Sequence, residues 1–145
     1  MTVIEFHVNV PEKLNYSCRL LRKAYRSGAK AVVTAEPDVL LQLDQLLWTY
    51  SSTEFLPHCR SDSPAQTMAS TPIWLVDQLN VCPSGSVLIN LGQQVPADFE
   101  RFERFIEIAS SQESDRLAAR DRWRYYRDRG YSLKRHESAP SSEAA

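Results

Sequence analysis

The chain has 145 residues, 43% hydrophobic and 24% charged, with a formal net charge of −1. That length suits one domain with a real core, and no apolar run approaches the ~20 residues a membrane span needs. Near-neutral charge argues against a general nucleic-acid binder, which carries a basic excess over a whole face. The N-terminus has an early acidic residue and no charged-then-apolar leader, so no secretory signal is expected. Three scattered cysteines, Cys18, Cys59 and Cys82, lack CxxC spacing and point to reduced thiols in a cytoplasm.

Residues 2–9, TVIEFHVN, alternate and are β-branched, which predicts a strand. After Pro11 a helix is expected over 16–27, with Leu20, Leu21 and Ala24 as its apolar stripe and Gly28 as its stop. Residues 31–35, AVVTA, read as a short strand buried on both faces. Pro37 opens a second helix carrying Val39, Leu40, Leu43, Leu46 and Leu47 at helical spacing. The stretch 51–70 breaks this regularity, and its polar part reads as a mobile surface loop. Residues 73–76 and 87–91 are two further strands, separated by the turn Pro83–Gly85. Pro96 and Asp98 predict a helix through Ala109, with Phe99, Phe102, Phe105 and Ile106 on one face. A last helix runs over 113–129 and is capped by Gly130. Beyond Leu133 the sequence lacks apolar periodicity, so a domain over 1–134 with a disordered polar tail over 135–145 is expected. Strand–helix alternation with short apolar strands predicts an α/β fold: a mostly parallel central sheet with helices on both faces, three-layered and Rossmann-like.

Such a sheet invites an enzyme reading, and the motifs for one are missing. The four glycines, Gly28, Gly85, Gly92 and Gly130, make neither a phosphate-binding loop nor GxGxxG, and there is no GxSxG elbow. His58 and Cys59 are the one adjacent pair that hints at a metal or a nucleophile. The other histidines and cysteines are isolated, and a polar loop lip is the plainer reading. Neither a catalytic residue, a metal nor a cofactor is expected.

Two segments look like docking surfaces. Six of the thirteen arginines lie between Arg116 and Tyr131, interleaved with Trp123, Tyr125 and Tyr126; against Asp121 and Asp128 the segment sums to +4, so the remainder sums to −5. At about 100° per residue, Arg116, Arg120, Arg124 and Arg127 fall within an arc of roughly 80° with Trp123 beside it. Ala118, Ala119 and Tyr126 face the sheet, and Arg122 projects to that side, where it would be paired internally. Asp121 and Asp128 lie off the arc and neutralise it poorly. Solvation of an exposed face is the alternative to a carboxylate-binding face. The second segment, Leu46 to Cys59, clusters Trp48, Tyr50 and Phe55. It reads either as core closure or as a protein–protein hot spot.

LDQLLW, EFLPH, VLINLG, VPADFERF and ARDRWRYYRDRGY, in this order and spacing, resemble the chi subunit of bacterial DNA polymerase III over roughly residues 1–133. The resemblance implies a cytoplasmic, non-catalytic accessory subunit of the clamp-loader complex. It would bind the psi subunit and the acidic C-terminal tail of single-stranded DNA-binding protein, reaching DNA only indirectly. By position it implies Arg120, Trp123 and Arg124, with Arg116 at the rim, as the tail-binding residues. Trp48 and Phe55, with Pro57 and His58 nearby, would face psi. Trp123 and Arg124 stand where the family can have Tyr and Lys. Direct binding of single-stranded nucleic acid, with bases stacked on Trp123 and Tyr131, is the alternative function.

Overall fold

Three four-residue runs, Ala31–Thr34, Ile73–Val76 and Val87–Asn90, are buried along their whole length, as strands covered on both faces must be. The structure, a computed structural model, describes residues 2–49, 56–60, 71–77, 79 and 87–137. In chain order these hold β1 (Val3–Val10), α1 (Lys13–Arg26), β2 (Ala31–Thr34), α2 (Pro37–Thr49), β3 (His58–Arg60), β4 (Ile73–Val76) and β5 (Val87–Asn90). A 3-10 turn at Phe99–Arg101, β6 (Arg104–Ser110), α3 (Glu113–Asp128) and β7 (Ser132–Glu137) follow. The strands form one seven-stranded sheet in the order β3-β4-β2-β5-β6-β1-β7, and every neighbouring pair is parallel.

Alternation along each strand sorts the core into two layers. Ala31, Val33, Ile73, Leu75, Val87, Ile89, Ile106 and Ile108 meet Leu21 of α1 and Leu40, Leu43 and Leu47 of α2. On the opposite face Ile4, Phe6, Val32, Trp74, Val76, Leu88 and Phe105 meet the 3-10 turn and Ala119 and Tyr126 of α3. The architecture is therefore the predicted parallel α/β sheet with helices on both faces.

Three expectations are corrected. The helix expected from Asp98 to Ala109 is the short 3-10 turn followed by strand β6. Asp98 sits in the left-handed region at φ 68, which a starting helix does not use. The run from Arg104 finds partners on both sides, β1 and β5, so long-range pairing overrides its local helical spacing. Phe105 and Ile106 consequently point to opposite faces. Cys59 and Arg60, expected at the start of the polar loop, instead belong with His58 to the edge strand β3, paired with β4. Residues 135–137, assigned to the tail, belong to β7, which pairs in parallel with β1 from Ser132 to Glu137. An edge strand needs little inward apolar surface, and Leu133 supplies it. Residues 50–55, 61–70, 81–86 and 138–145, with the turn at Pro83, lie outside the described residues.

Two polar clusters set the position of α3. Glu107, wholly buried in β6, accepts hydrogen bonds from Arg122 Nε at 3.0 Å, Tyr126 Oη at 2.6 Å and Asn90 Nδ2 at 3.0 Å. Burial pushes the Glu107 carboxyl above its ordinary range, with Arg122, Tyr126 and Asn90 opposing that push. Asp115, in the first turn of α3, accepts from the Ser110 backbone N–H at 2.6 Å, Gln93 Nε2 at 2.7 Å and Lys13 Nζ at 3.1 Å. Lys13 also donates to the Leu91 carbonyl at 3.1 Å, tying α1 to the same corner.

Removing Arg122 leaves the buried carboxylate with the Tyr126 and Asn90 donors but no counter-charge, so Arg122→Ala should cost about 3–5 kcal/mol. The charge-free pair Glu107→Gln with Arg122→Met should cost clearly less; equal losses in urea titration would refute the charge argument. Burial acts to raise the Asp115 carboxyl, but the Ser110 N–H, Lys13 and Gln93 outweigh it and hold it below its ordinary 3.8. That depression stabilises the fold above pH 3.8 and is lost as pH falls through the folded-state value. Asp115→Asn is therefore expected to lose about 1–3 kcal/mol at neutral pH, and the gap to the unmodified protein should close in acid. A gap that stays constant from neutral pH to about pH 2 would contradict this assignment.

Candidate functional site

Helix α3 is built for its ends as well as its faces. Glu113 and Asp115 occupy the first turn and Arg127 the last, each sign favourable to the helix dipole. Gly130, at φ +83, ends it: its N–H donates to the Arg127 carbonyl at 3.0 Å and the Tyr131 N–H to Tyr126 at 3.2 Å. This double bond pattern is a Schellman cap. It delivers Tyr131 onto Phe99, ring centroids 5.2 Å apart, and starts the chain into β7.

Because Arg122 and Tyr126 are held by Glu107, the opposite face of α3 is turned outward. Beside it lies a cleft of about 520 Å³ at the C-terminal ends of β1, β6 and β7. Arg116, Ala119, Arg120 and Trp123 form one wall, Phe6, Val8 and Ala109 the floor, and Arg135 and Glu137 the far rim. The Trp123 indole is half-buried, edge-on to Phe6 at 5.1 Å and 70° between planes. It is a fixed apolar wall rather than a free anchor. Arg116 and Arg120 are exposed and have no ion-pair partner among the described residues.

The arc expected from the helix wheel is thus divided. Arg116, Arg120 and Trp123 converge on the cleft, while Arg124 does not line it. Arg124 Nη1 lies 4.0 Å from Asp121 Oδ1, and Arg127 Nη2 lies 3.4 Å from Asp128 Oδ1. Intrahelical pairing therefore reaches the arc after all, although such exposed pairs are weak. Arg122, 3% exposed, is an internal partner as its projection indicated. Arg135 was missed, because it fell in a stretch read as tail. Its one sequence signal is the alternation Leu133, Arg135, Glu137 against Lys134, His136. Pairing with β1 sets Arg135 beside Phe6 and Glu137 beside Val8.

At the other edge of the sheet, Trp48 ends α2 with 58% of its surface exposed. Its ring lies 4.9 Å from that of His58. The His58 side chain is itself buried, with Nδ1 2.7 Å from the Leu56 carbonyl and Nε2 3.0 Å from Asp44 Oδ1. His58 is therefore a support under Trp48 rather than a surface contact. Pro57 is partly buried beside it, and Phe55 lies outside the described residues. Leu41, 43% exposed, lies two helical turns before Trp48 on the same side of α2, with Asp44 and Gln45 between them.

His58 and Cys59 occupy successive positions of β3 and face opposite sides of the sheet, toward Asp44 and toward the Trp74 layer respectively. They cannot share one metal. Among the described residues no group of three or more His, Cys, Asp or Glu could hold a metal ion. Burial pushes the Cys18 thiol up to about 12 and also raises that of Cys59, so neither is an activated nucleophile. A larger cleft, about 820 Å³, opens at the C-terminal ends of β2 and β5, where α/β sheets often bind phosphates. Glu36, Asp77 and Asp98 line it and oppose an anion. A Cβ on Gly92 would meet Glu36 Oε2 at 2.8 Å, so no spare room remains at that point. No helix among the described residues is long and apolar enough to cross a membrane.

Comparison with known proteins gives a consistent family. The family model described as DNA polymerase III chi subunit, HolC, matches residues 1–134. The DNA polymerase III subunit chi of Pseudomonas aeruginosa is 33% identical over 144 residues, covering 94% of this chain and 96% of that protein. That of Haemophilus influenzae is 28% identical over 81% of each chain. Among solved structures, the C-terminal domain of the DEAD-box protein Dbp5 superposes with a TM-score of 0.60, covering 98% of this chain and 94% of that one. At 11% identity it shares the fold alone. The parallel sheet, the arginine-lined cleft beside α3 and the match over 1–134 lead to one conclusion: the chain belongs to the DNA polymerase III chi subunit family and is an accessory component of DNA replication.

Proposed function

We propose that the cleft beside α3 binds the acidic C-terminal tail of single-stranded DNA-binding protein, tethering the clamp-loader complex to coated DNA in the cytoplasm. The observation that carries this reading is the pair of guanidiniums, Arg116 and Arg120, without an ion-pair partner among the described residues, beside the half-buried Trp123 over an apolar floor. An aromatic C-terminal residue fits against Trp123, Phe6 and Val8, and its terminal carboxylate is within the chemistry of two arginine forks. Arg124 and Arg127, further along the same helix and outside the cleft, add long-range attraction for acidic side chains. Charge-assisted bonds of about 1.5–3 kcal/mol each, reduced by exposure, give one tail roughly micromolar affinity. Several tails on one oligomeric partner raise the effective affinity further.

The surface of α2 that exposes Trp48 and Leu41, with His58 supporting Trp48, is the proposed psi-binding surface. It lies at the β3 edge and the cleft at the β7 edge, six strand spacings apart, or roughly 29 Å. Both partners can therefore be held at once.

Arg120→Ala and Trp123→Ala should each weaken a labelled acidic peptide ending in Phe by about ten- to a hundredfold, read by fluorescence anisotropy. Arg124→Ala, outside the cleft, should cost less than Arg120→Ala. Unchanged affinity in both Arg120→Ala and Trp123→Ala would overturn the site. Tight, salt-sensitive binding of an oligonucleotide without peptide binding would favour a direct nucleic-acid module instead. Trp48→Ala should abolish co-purification with psi while leaving the melting temperature unchanged; retained psi binding would exclude this surface.

A further inference from the structure

We propose that Arg135 of β7 is a second carboxylate-binding residue of the α3 cleft, and that Glu137 occupies it in the free protein. This rests on the acidic-peptide reading above and adds to it a subsite and a built-in competitor. Parallel pairing sets Phe6 opposite Arg135 and Val8 opposite Glu137. Alternation then puts Leu133, Arg135 and Glu137 on the cleft side of β7 and Lys134 and His136 on the other. The burial pattern agrees: Leu133 packs in the α3 layer, whereas His136 stacks beside His7 on the far face.

Arg135 therefore faces Arg116 and Arg120 across an apolar floor, from a separate element. A peptide lying along the cleft meets guanidiniums on both walls, and one carboxylate cannot satisfy all three. The geometry selects a ligand with an acidic side chain upstream of its terminal carboxylate. In the free protein Arg135 Nη2 lies 3.0 Å from Glu137 Oε2, with both side chains more than half exposed. An exposed pair of this kind is weak and exchanges readily. A carboxylate of the peptide can thus take the place of Glu137, whose own charge then repels the ligand until it swings into solvent.

The test is anisotropy with a fluorescein-labelled acidic peptide ending in Phe, on the full chain. Arg135→Ala and Arg135→Thr should each weaken binding by about five- to tenfold, the Thr variant retaining strand propensity so that fraying of β7 is not the cause. Glu137→Gln should tighten binding by about two- to fivefold. That gain should vanish in the Arg135→Ala background. Lys134→Ala removes the same charge from the opposite face of β7 and should leave the affinity unchanged.

A loss in Lys134→Ala equal to that in Arg135→Ala would overturn the subsite, because bulk charge would then suffice. So would a Glu137→Gln gain that persists without Arg135. If Arg120→Ala abolishes binding while both Arg135 variants bind like the unmodified protein, only this inference falls. If the unmodified protein fails to bind the peptide, the acidic-peptide reading falls with it.

Discussion

The carboxylate of Glu107 is the constraint on which the rest of α3 depends. A charge wholly buried in a parallel sheet has to be matched by donors from whatever packs over it. Here the donors come from Asn90 in the neighbouring strand and from Arg122 and Tyr126, one helical turn apart on α3. Satisfying Glu107 therefore fixes the rotation of the helix about its axis. A shift of one residue, about 100°, would carry Arg122 off the carboxylate and take Trp123 away from Phe6. The face bearing Arg116 and Arg120 is outward because Arg122 is inward.

Asp115 fixes the other coordinate, the distance of the first turn of α3 from the strand ends. It collects the backbone of Ser110, the side chain of Gln93 and the ammonium of Lys13, so α1, α3 and the ends of β5 and β6 meet at one carboxylate. With rotation and height both set, the cleft between α3 and the end of β7 is preorganised, and little ordering cost remains for a ligand to meet. The same logic holds at the far edge. Asp44 and the Leu56 carbonyl hold His58, and His58 holds the plane of Trp48. Trp48 thus rests on a buried polar residue, and Trp123 on the apolar ring of Phe6.

An all-parallel α/β sheet is commonly the scaffold of an enzyme, and likeness to the Dbp5 domain shows how far the fold alone travels. What differs is the chemistry at the strand ends. The cleft at β2 and β5 carries carboxylates where a phosphate-binding loop would carry backbone amides and glycines. The positive charge has moved to the β1–β7 edge, where a peptide can lie across the surface without entering the sheet. This distribution suits an accessory subunit in a replication assembly, as the family membership states.

The sequence alone determined the elements whose physics is local. AVVT, IWLV and VLIN are too short and too apolar to be anything but strands covered on both faces, and they were legible without coordinates. A glycine just after the helical pattern marked both Gly28 and Gly130 as stops, where the backbone indeed takes positive φ, and a helix wheel sent Arg122 inward. Tertiary structure decided what depends on distant partners. RFIEIAS became a strand because β1 and β5 offered two ladders to it, which outweighs the helical spacing of Phe105 and Ile106 with Phe99 and Phe102 before them. KRHE joined the sheet because β1 had a free edge and an edge strand needs only one inward apolar residue. That second decision matters most for the site. Pairing with a strand more than a hundred residues earlier brought Arg135 and Glu137 to the cleft, and no periodicity within the final segment encodes such a neighbour.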